Sequence, residues 1–179
     1  KSLCRARESL IKERSKFAVL LTNELDKSFP ELKPFFNNMI SSTLLYILEK
    51  YTNTKHIAAM KDYDSIRKIS YGKFTYAKFA KLKELAKNSV GFHNENTDLL
   101  ISTYVSIYND FNNKIDPIEK QISTIIKVLN PRMLTIPGIG EISAATILSE
   151  YGDIKNFFIP YKILAFVGLY PSINQSCTL

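Results

Sequence analysis

Apolar residues recur at three-, four- and seven-residue steps along most of the chain, a spacing that predicts helices rather than strands. Leu3, Leu10, Phe17, Leu21 and Leu25 mark one face of a helix over 2–28, with Arg7, Arg14 and Lys16 on the remaining surface. Pro30 disfavours helical geometry in the residue before it, so this helix is expected to stop near Ser28. A shorter helix is expected over 43–50, starting from the capping candidates Ser41 and Ser42 and carrying Leu44, Leu45, Ile47 and Leu48. Two small helical pieces follow within 54–70, His56 in the first and Ile66 and Ile69 in the second. A basic amphipathic helix over 75–89 turns Phe79, Leu82 and Leu85 or Ala86 inward.

The longest pattern lies in 97–130. Tyr104, Tyr108, Phe111, Ile115, Ile118, Ile122, Ile125 and Leu129 alternate four and three apart, the heptad spacing of a packed helical seam. Its partner is either the first helix, folded back antiparallel, or the same helix of another subunit. Pro117 removes a backbone donor and allows a kink, or a break into two helices at 112–116. Such a stripe argues for packing and not for chemistry. The expected fold is all-α: long helices with a coiled-coil-like seam, plus a small domain containing a helix-hairpin-helix.

Composition narrows the class. A 45% apolar content rules out a wholly disordered chain, and only 6 Gly and 7 Pro in 179 residues leave room for long helices. The net charge of +7 is unevenly placed: residues 1–93 hold 18 Lys/Arg against 9 Asp/Glu, whereas 94–179 hold 6 against 8. Between Arg67 and Lys87 stand seven cations, Arg67, Lys68, Lys73, Lys78, Lys81, Lys83 and Lys87, against one acid, Glu84. A field of this kind attracts polyanions, nucleic acid before lipid, although a merely solvated basic face has the same composition. No run reaches the roughly 20 apolar residues of a membrane span, and no secretory leader opens the chain, so a cytoplasmic, nucleoid-associated location with no membrane partner is expected. Cys4 and Cys177, near opposite ends, and the two histidines His56 and His93 make no structural zinc site. Lys1 in place of Met, and a last residue Leu179 directly after a turn-like stretch, lead to the expectation that both ends continue in a longer protein.

Residues 133–151, MLTIPGIGEISAATILSEY, form the sharpest local motif. A short apolar helix is expected to end at Ile136, Pro137-Gly138-Ile139-Gly140 to turn the chain, and Glu141 to open a second helix packed through Ala144, Ala145, Ile147 and Leu148. Gly138 and Gly140 can adopt backbone angles closed to other residues and put no side chain in the way of a phosphate. The unpaired amides that open the second helix point toward such a group, and Ser143 either adds a hydroxyl donor or serves only as a solvent-facing or capping residue. Gly138, Ile139, Gly140 and Ser143, with the seven cations of 67–87, are therefore the candidate backbone-binding residues. A tight turn used only for packing has the same outline. Beyond it, Gly152 is expected to end the helix, and Pro160 to begin another that stops at Gly168.

The run MLTIPGIGEISAATILSEYGDIKNF, then KILAFVGLYPSINQS, resembles the C-terminal transposase domain of insertion-sequence recombinases directed by a structured bridge RNA. RARESLIKERSKFAVLLTNELDKSFPEL, the basic region and the heptad helix look like their linker and coiled-coil section. The resemblance covers essentially the whole chain, and its most specific part is the ordered set PGIG, paired alanines, GD with NF, FVGLYP and QS. It implies three regions: a basic helical linker over 1–96, the heptad helix over 97–130, and a truncated transposase C-terminal domain over 131–179.

The resemblance also implies that Ser176 is the nucleophile attacking a DNA phosphodiester, through a covalent phosphoserine link that holds the cut strand until another is joined. Read without it, a serine near a chain end with no histidine beside it has no visible activating group. Cys177 stands where the family usually has Gly, and Gln175, Tyr161 and Tyr170 are weaker candidates for contact with nucleic acid. The resemblance further implies a RuvC-like nuclease domain, absent from this sequence, that holds Mg2+; no cofactor or metal is assigned to the residues present, since Asp62 with Asp64, or Asp110 with Asp116 and Glu119, fit no convergent metal set. DNA, a structured guide RNA and a second copy of the chain are the implied partners. The expected function is DNA strand cleavage and rejoining by a full-length transposase of which this chain is a fragment. The alternative is a non-catalytic helical module for nucleic-acid binding and dimerisation.

Overall fold

The computed structural model describes residues 1–152, together with 165 and 168. Among these residues the fold is all-α. It consists of α1 (Ser2–Ser28), α2 (Leu32–Phe35), α3 (Ser42–Lys50), α4 (Thr54–Ala59), α5 (Tyr63–Ile69), α6 (Tyr76–Lys87), α7 (Glu95–Leu129), a 3-10 turn (Arg132–Thr135) and α8 (Glu141–Tyr151). They form two compact units, Arg5–Gln121 and Lys1–Cys4 with Ile122–Leu179. No described helix is long and apolar enough to cross a membrane.

The helix starts follow from their capping residues. Ser41 Oγ accepts from Leu44 N at 3.3 Å, Asn53 Oδ1 from His56 N at 2.8 Å and Thr75 Oγ1 from Lys78 N at 3.4 Å. Each occupies one of the amides that a helix leaves unpaired at its first turn. In the Arg5–Gln121 unit, Leu21 and Leu25 of α1 meet Leu44, Ile47, Ile57, Ile66, Leu82, Ile101 and Val105 in one continuous core. Each such side chain contributes about 1.5–3 kcal/mol on leaving water.

Within this unit α1 and α7 run antiparallel. Arg7 Nε donates to Glu119 Oε1 at 2.6 Å, Arg14 Nη1 to Asn112 Oδ1 at 2.7 Å, and the Phe17 ring lies 5.8 Å from Phe111 and 6.2 Å from Tyr104. Positions rising along α1 thus meet positions falling along α7, the first of the two arrangements left open by the heptad pattern. Ile115 and Ile122 are buried as that pattern requires, but toward the ends of α7 the buried line moves one residue, to Val105 beside Tyr104 and to Ile126 beside Ile125. An α-helix of 3.6 residues per turn drifts from a strict seven-residue repeat toward higher numbers at its C-terminal end, so Ile126 is buried and Ile125 and Leu129 are exposed, whereas Val105 at the other end joins Ile101 in the core. Helix α7 continues through Pro117 without a break. The carbonyl deprived of its donor is that of Asn113, four residues earlier, and both residues are exposed, so water can reach it.

The segment between α6 and α7 is fastened to the end of α1. Ser89 Oγ and Val90 N donate to the two Glu31 carboxylate oxygens at 2.7 and 3.0 Å, and Phe92 N donates to the Lys27 carbonyl at 3.1 Å. Burial pushes the Glu31 carboxyl up, but these donors outweigh it and hold the group below its ordinary value. Gly91 therefore crosses the α1 terminus so closely that a Cβ there would stand 1.9 Å from the Ser28 carbonyl oxygen. A second tie joins the starts of α4 and α7: Thr54 N donates to His93 Nε2 at 3.3 Å, His93 Nδ1 lies 3.1 Å from Asp98 Oδ1, and Asn53 Nδ2 donates to Asp98 Oδ2 at 2.7 Å.

Asp62 links α3 to α5. Hydrogen bonds from the Ser65 hydroxyl and the Lys50 ammonium, with a further one from the Tyr46 hydroxyl, outweigh burial and hold its carboxyl at about 2 rather than 3.8. A depressed carboxylate value contributes stability that is complete above the unfolded value and is lost as pH falls through the folded one. Asp62→Asn is therefore expected to lower stability in denaturant titrations at about pH 7 and to converge with the parent chain toward about pH 2. A difference that persists unchanged in acid would contradict that assignment.

Candidate nucleic-acid interface

The cations of 67–87 fall on α5, α6 and the turn between them. Helix α6 buries Phe79, Leu82 and Ala86 and half-buries Lys83 and Leu85, while Lys78, Lys81 and Lys87 are exposed. Arg67 and Lys68 occupy the last turn of α5, where positive charge also suits the negative end of the helix dipole. Lys73 follows that turn and is exposed. Lys83 differs from the other six. Its ammonium donates to the Met60 carbonyl at 2.7 Å and lies 5.5 Å from the centre of the Phe79 ring, fastening α6 to the end of α4. Sequence spacing alone groups Lys83 with its neighbours; only the Met60 carbonyl, 23 residues away, separates it from them.

The turn leaving α5 has a hydrogen-bond pattern that the sequence did not suggest. Gly72 N donates to the Arg67 carbonyl at 2.9 Å and Tyr71 N to the Lys68 carbonyl at 3.1 Å, the paired bonds of a Schellman ending. The residue at its left-handed position is usually glycine, yet here it is Tyr71, with φ 51°, and Gly72 follows with φ 77°.

The PGIG segment is a tight turn between the 3-10 turn and α8. Ile139 N donates to the Ile136 carbonyl at 3.1 Å, with Pro137 second and Gly138, at φ 90°, third, as a type II turn requires. The piece before it is a single 3-10 turn, not the short apolar helix expected, because Pro131 and Pro137 bracket too few residues for regular α-helical bonding. Gly140 holds the cap position of α8 in extended geometry, and no side chain caps it. A Cβ at Gly138 or Gly140 would meet nothing within 4 Å, so the backbone there is open to a visitor. Ala144 and Ala145 are buried and Ser143 is exposed, while Ile139 is half-buried. Glu141 places a carboxylate in the first turn of α8, partly offset by Lys127 at 3.6 Å. Gly152, at φ 67°, ends α8 by donating to the Leu148 carbonyl at 3.1 Å.

Among the described residues no group of three or more His, Cys, Asp or Glu side chains could hold a metal ion. Asp62 is engaged by Lys50 and Tyr46, and Glu119 by Arg7. These acids do not fit a magnesium site. Ser176, Gln175, Cys177, Tyr161 and Tyr170 lie outside the described residues.

No curated protein and no solved structure matches the chain. Residues 130–178, which contain the PGIG turn, α8 and Ser176, match the transposase IS116/IS110/IS902 family.

Proposed function

We propose that the chain is a helical nucleic-acid-binding module of a DNA transposase, holding backbone phosphates at two places. One is the cation face made by Arg67, Lys68, Lys73, Lys78, Lys81 and Lys87, with Lys83 positioning α6. The other is a helix-hairpin-helix formed by the 3-10 turn, PGIG and α8, where Gly138, Ile139, Gly140 and Ser143 offer amides and a hydroxyl. The uncapped, unobstructed start of α8 is the observation that carries this function. Helix N-termini attract anions through unpaired amides and the helix dipole, and contacts of this type position a protein without reading sequence. DNA and a structured guide RNA are the proposed ligands, and a second copy of the chain, joined by helical packing outside the α1–α7 seam, the proposed partner. The basic linker over 1–96, the heptad helix over 97–130 and the C-terminal domain over 131–179 are the proposed domains. Titrating mixed-sequence DNA and structured RNA at two salt concentrations tests this function: affinity should fall steeply as salt rises, and salt-independent or absent binding would refute it.

The family match over 130–178 favours a second step, strand cleavage and rejoining with Ser176 as nucleophile. In that chemistry the serine oxygen bonds to phosphorus, the strand leaves with its own oxygen, and a later strand's hydroxyl reverses the exchange. Magnesium would belong to an additional RuvC-like domain. A longer protein with that domain, supplied with Mg2+ and structured RNA, should form a covalent protein–DNA species that Ser176→Ala abolishes. Persistence of the species in the variant would remove Ser176 from this role.

A further inference from the structure

We propose that Tyr71 is a stacking platform for an unpaired base, with the adjoining basic cleft receiving the strand that carries it; the proposal rests on the nucleic-acid-binding function and names the form of ligand this surface takes. Tyr71 occupies the left-handed position at which a Schellman ending normally has glycine, a geometry that strains an L-residue. Its side chain gives nothing obvious in return to the fold, because 91% of the residue's surface is exposed. A strained, exposed aromatic residue is poorly explained by packing and well explained by contact with a ligand.

The surroundings specify that ligand. On one side Tyr71 borders a cleft of about 490 Å³, lined also by Lys73, Lys78, Asn37, Phe36 and Phe74. The Phe36 and Phe74 rings stack with centres 6.0 Å apart and planes 11° from parallel, giving the cleft an aromatic wall. Tyr71 also borders an adjoining open hollow, with Lys68 and Ser65, that shares Ser42 and Ile69 with the first. One exposed ring thus lines the same hollows as three lysines, Lys68, Lys73 and Lys78, as a strand needs when a base lies flat on an aromatic face and its neighbouring phosphates run past cations. A duplex keeps its bases stacked on one another and presents no free face to Tyr71, so the occupant is single-stranded DNA or RNA, or an unpaired loop within either.

The conformational strain provides a clean test. Tyr71→Gly removes the ring while relieving the left-handed residue, so its melting temperature should equal or exceed that of the parent. Affinity for oligothymidylate and oligouridylate should fall about tenfold in this variant, with duplex DNA of equal length bound as before. Tyr71→Phe, which keeps a stacking face, should retain single-strand affinity. Comparison of the oligothymidylate and oligouridylate losses separates DNA from RNA as the preferred strand. Unchanged single-strand affinity in Tyr71→Gly, or an equal loss on duplex, overturns the stacking role while leaving backbone binding intact. Loss of salt-dependent binding by the parent chain to every nucleic acid would instead overturn the broader function.

Discussion

Gly91→Ala should destabilise the Arg5–Gln121 unit by about 3 kcal/mol, at the upper end of overpacking costs. The added carbon would stand 1.9 Å from the Ser28 carbonyl oxygen, 2.3 Å from its carbon and 2.9 Å from Phe29 N. Those atoms are backbone at the end of α1, where Leu25 and Phe29 are buried, and they cannot swing aside as a side-chain tip can. Separation would also stretch the bonds from Ser89, Val90 and Phe92 to Glu31 and Lys27. Gly72→Ala supplies the contrast. Its φ of 77° carries backbone strain, but the site has open space, so the cost should stay near 1 kcal/mol. Denaturant midpoints of the two variants decide the matter; equal, small losses would mean that the Gly91 crossing relaxes easily.

Replacing Arg67, Lys81 and Lys87 together by glutamine should have the largest effect on binding. If each cation neutralises a phosphate of duplex DNA, the slope of log affinity against log salt becomes shallower by about 0.9 per contact removed. Their positions on the solvent side of α5 and α6 leave the core residues Phe79, Leu82 and Ala86 untouched, so stability should change little. Lys83→Ala should behave oppositely. Loss of the bond to the Met60 carbonyl removes about 1–2 kcal/mol of stability, while the salt slope stays near that of the parent. A triple variant with an unaltered slope would show that these cations form a solvated face and nothing more.

The two kinds of variant also show what a sequence discloses. Spacing of Leu21, Leu25, Phe79, Leu82 and Ile115 predicts the helices because periodic burial is a local property of an amphipathic element. Caps such as Ser41 and Thr75 are equally local, and the cation cluster is a matter of composition. Gly91 carries no such signal: its need arises where two backbones separated by more than 60 residues approach, and its own φ is ordinary. Tyr71 is hidden for a related reason, since nothing local announces a left-handed tyrosine when the glycine stands one place later. The seam of α7 was legible in the middle and displaced toward the C-terminus, where helical drift replaces Ile125 by Ile126 in the buried line. The PGIG turn was legible because Pro137 and Gly138 each fix one position of a type II turn, whereas the flanking 3-10 geometry depends on how closely two prolines bracket the strand of chain between them.

Backbone hydrogen exchange with and without mixed-sequence duplex DNA at low salt is the most direct examination of phosphate gripping by this chain. Slowed exchange should appear at the opening amides of α8, in the peptide covering Gly138–Ser143, and along the exposed face of 67–87, and both effects should vanish as salt is raised. Exchange at Gly138–Ser143 that is indifferent to saturating DNA would contradict the claim that the uncapped end of α8 receives a phosphate.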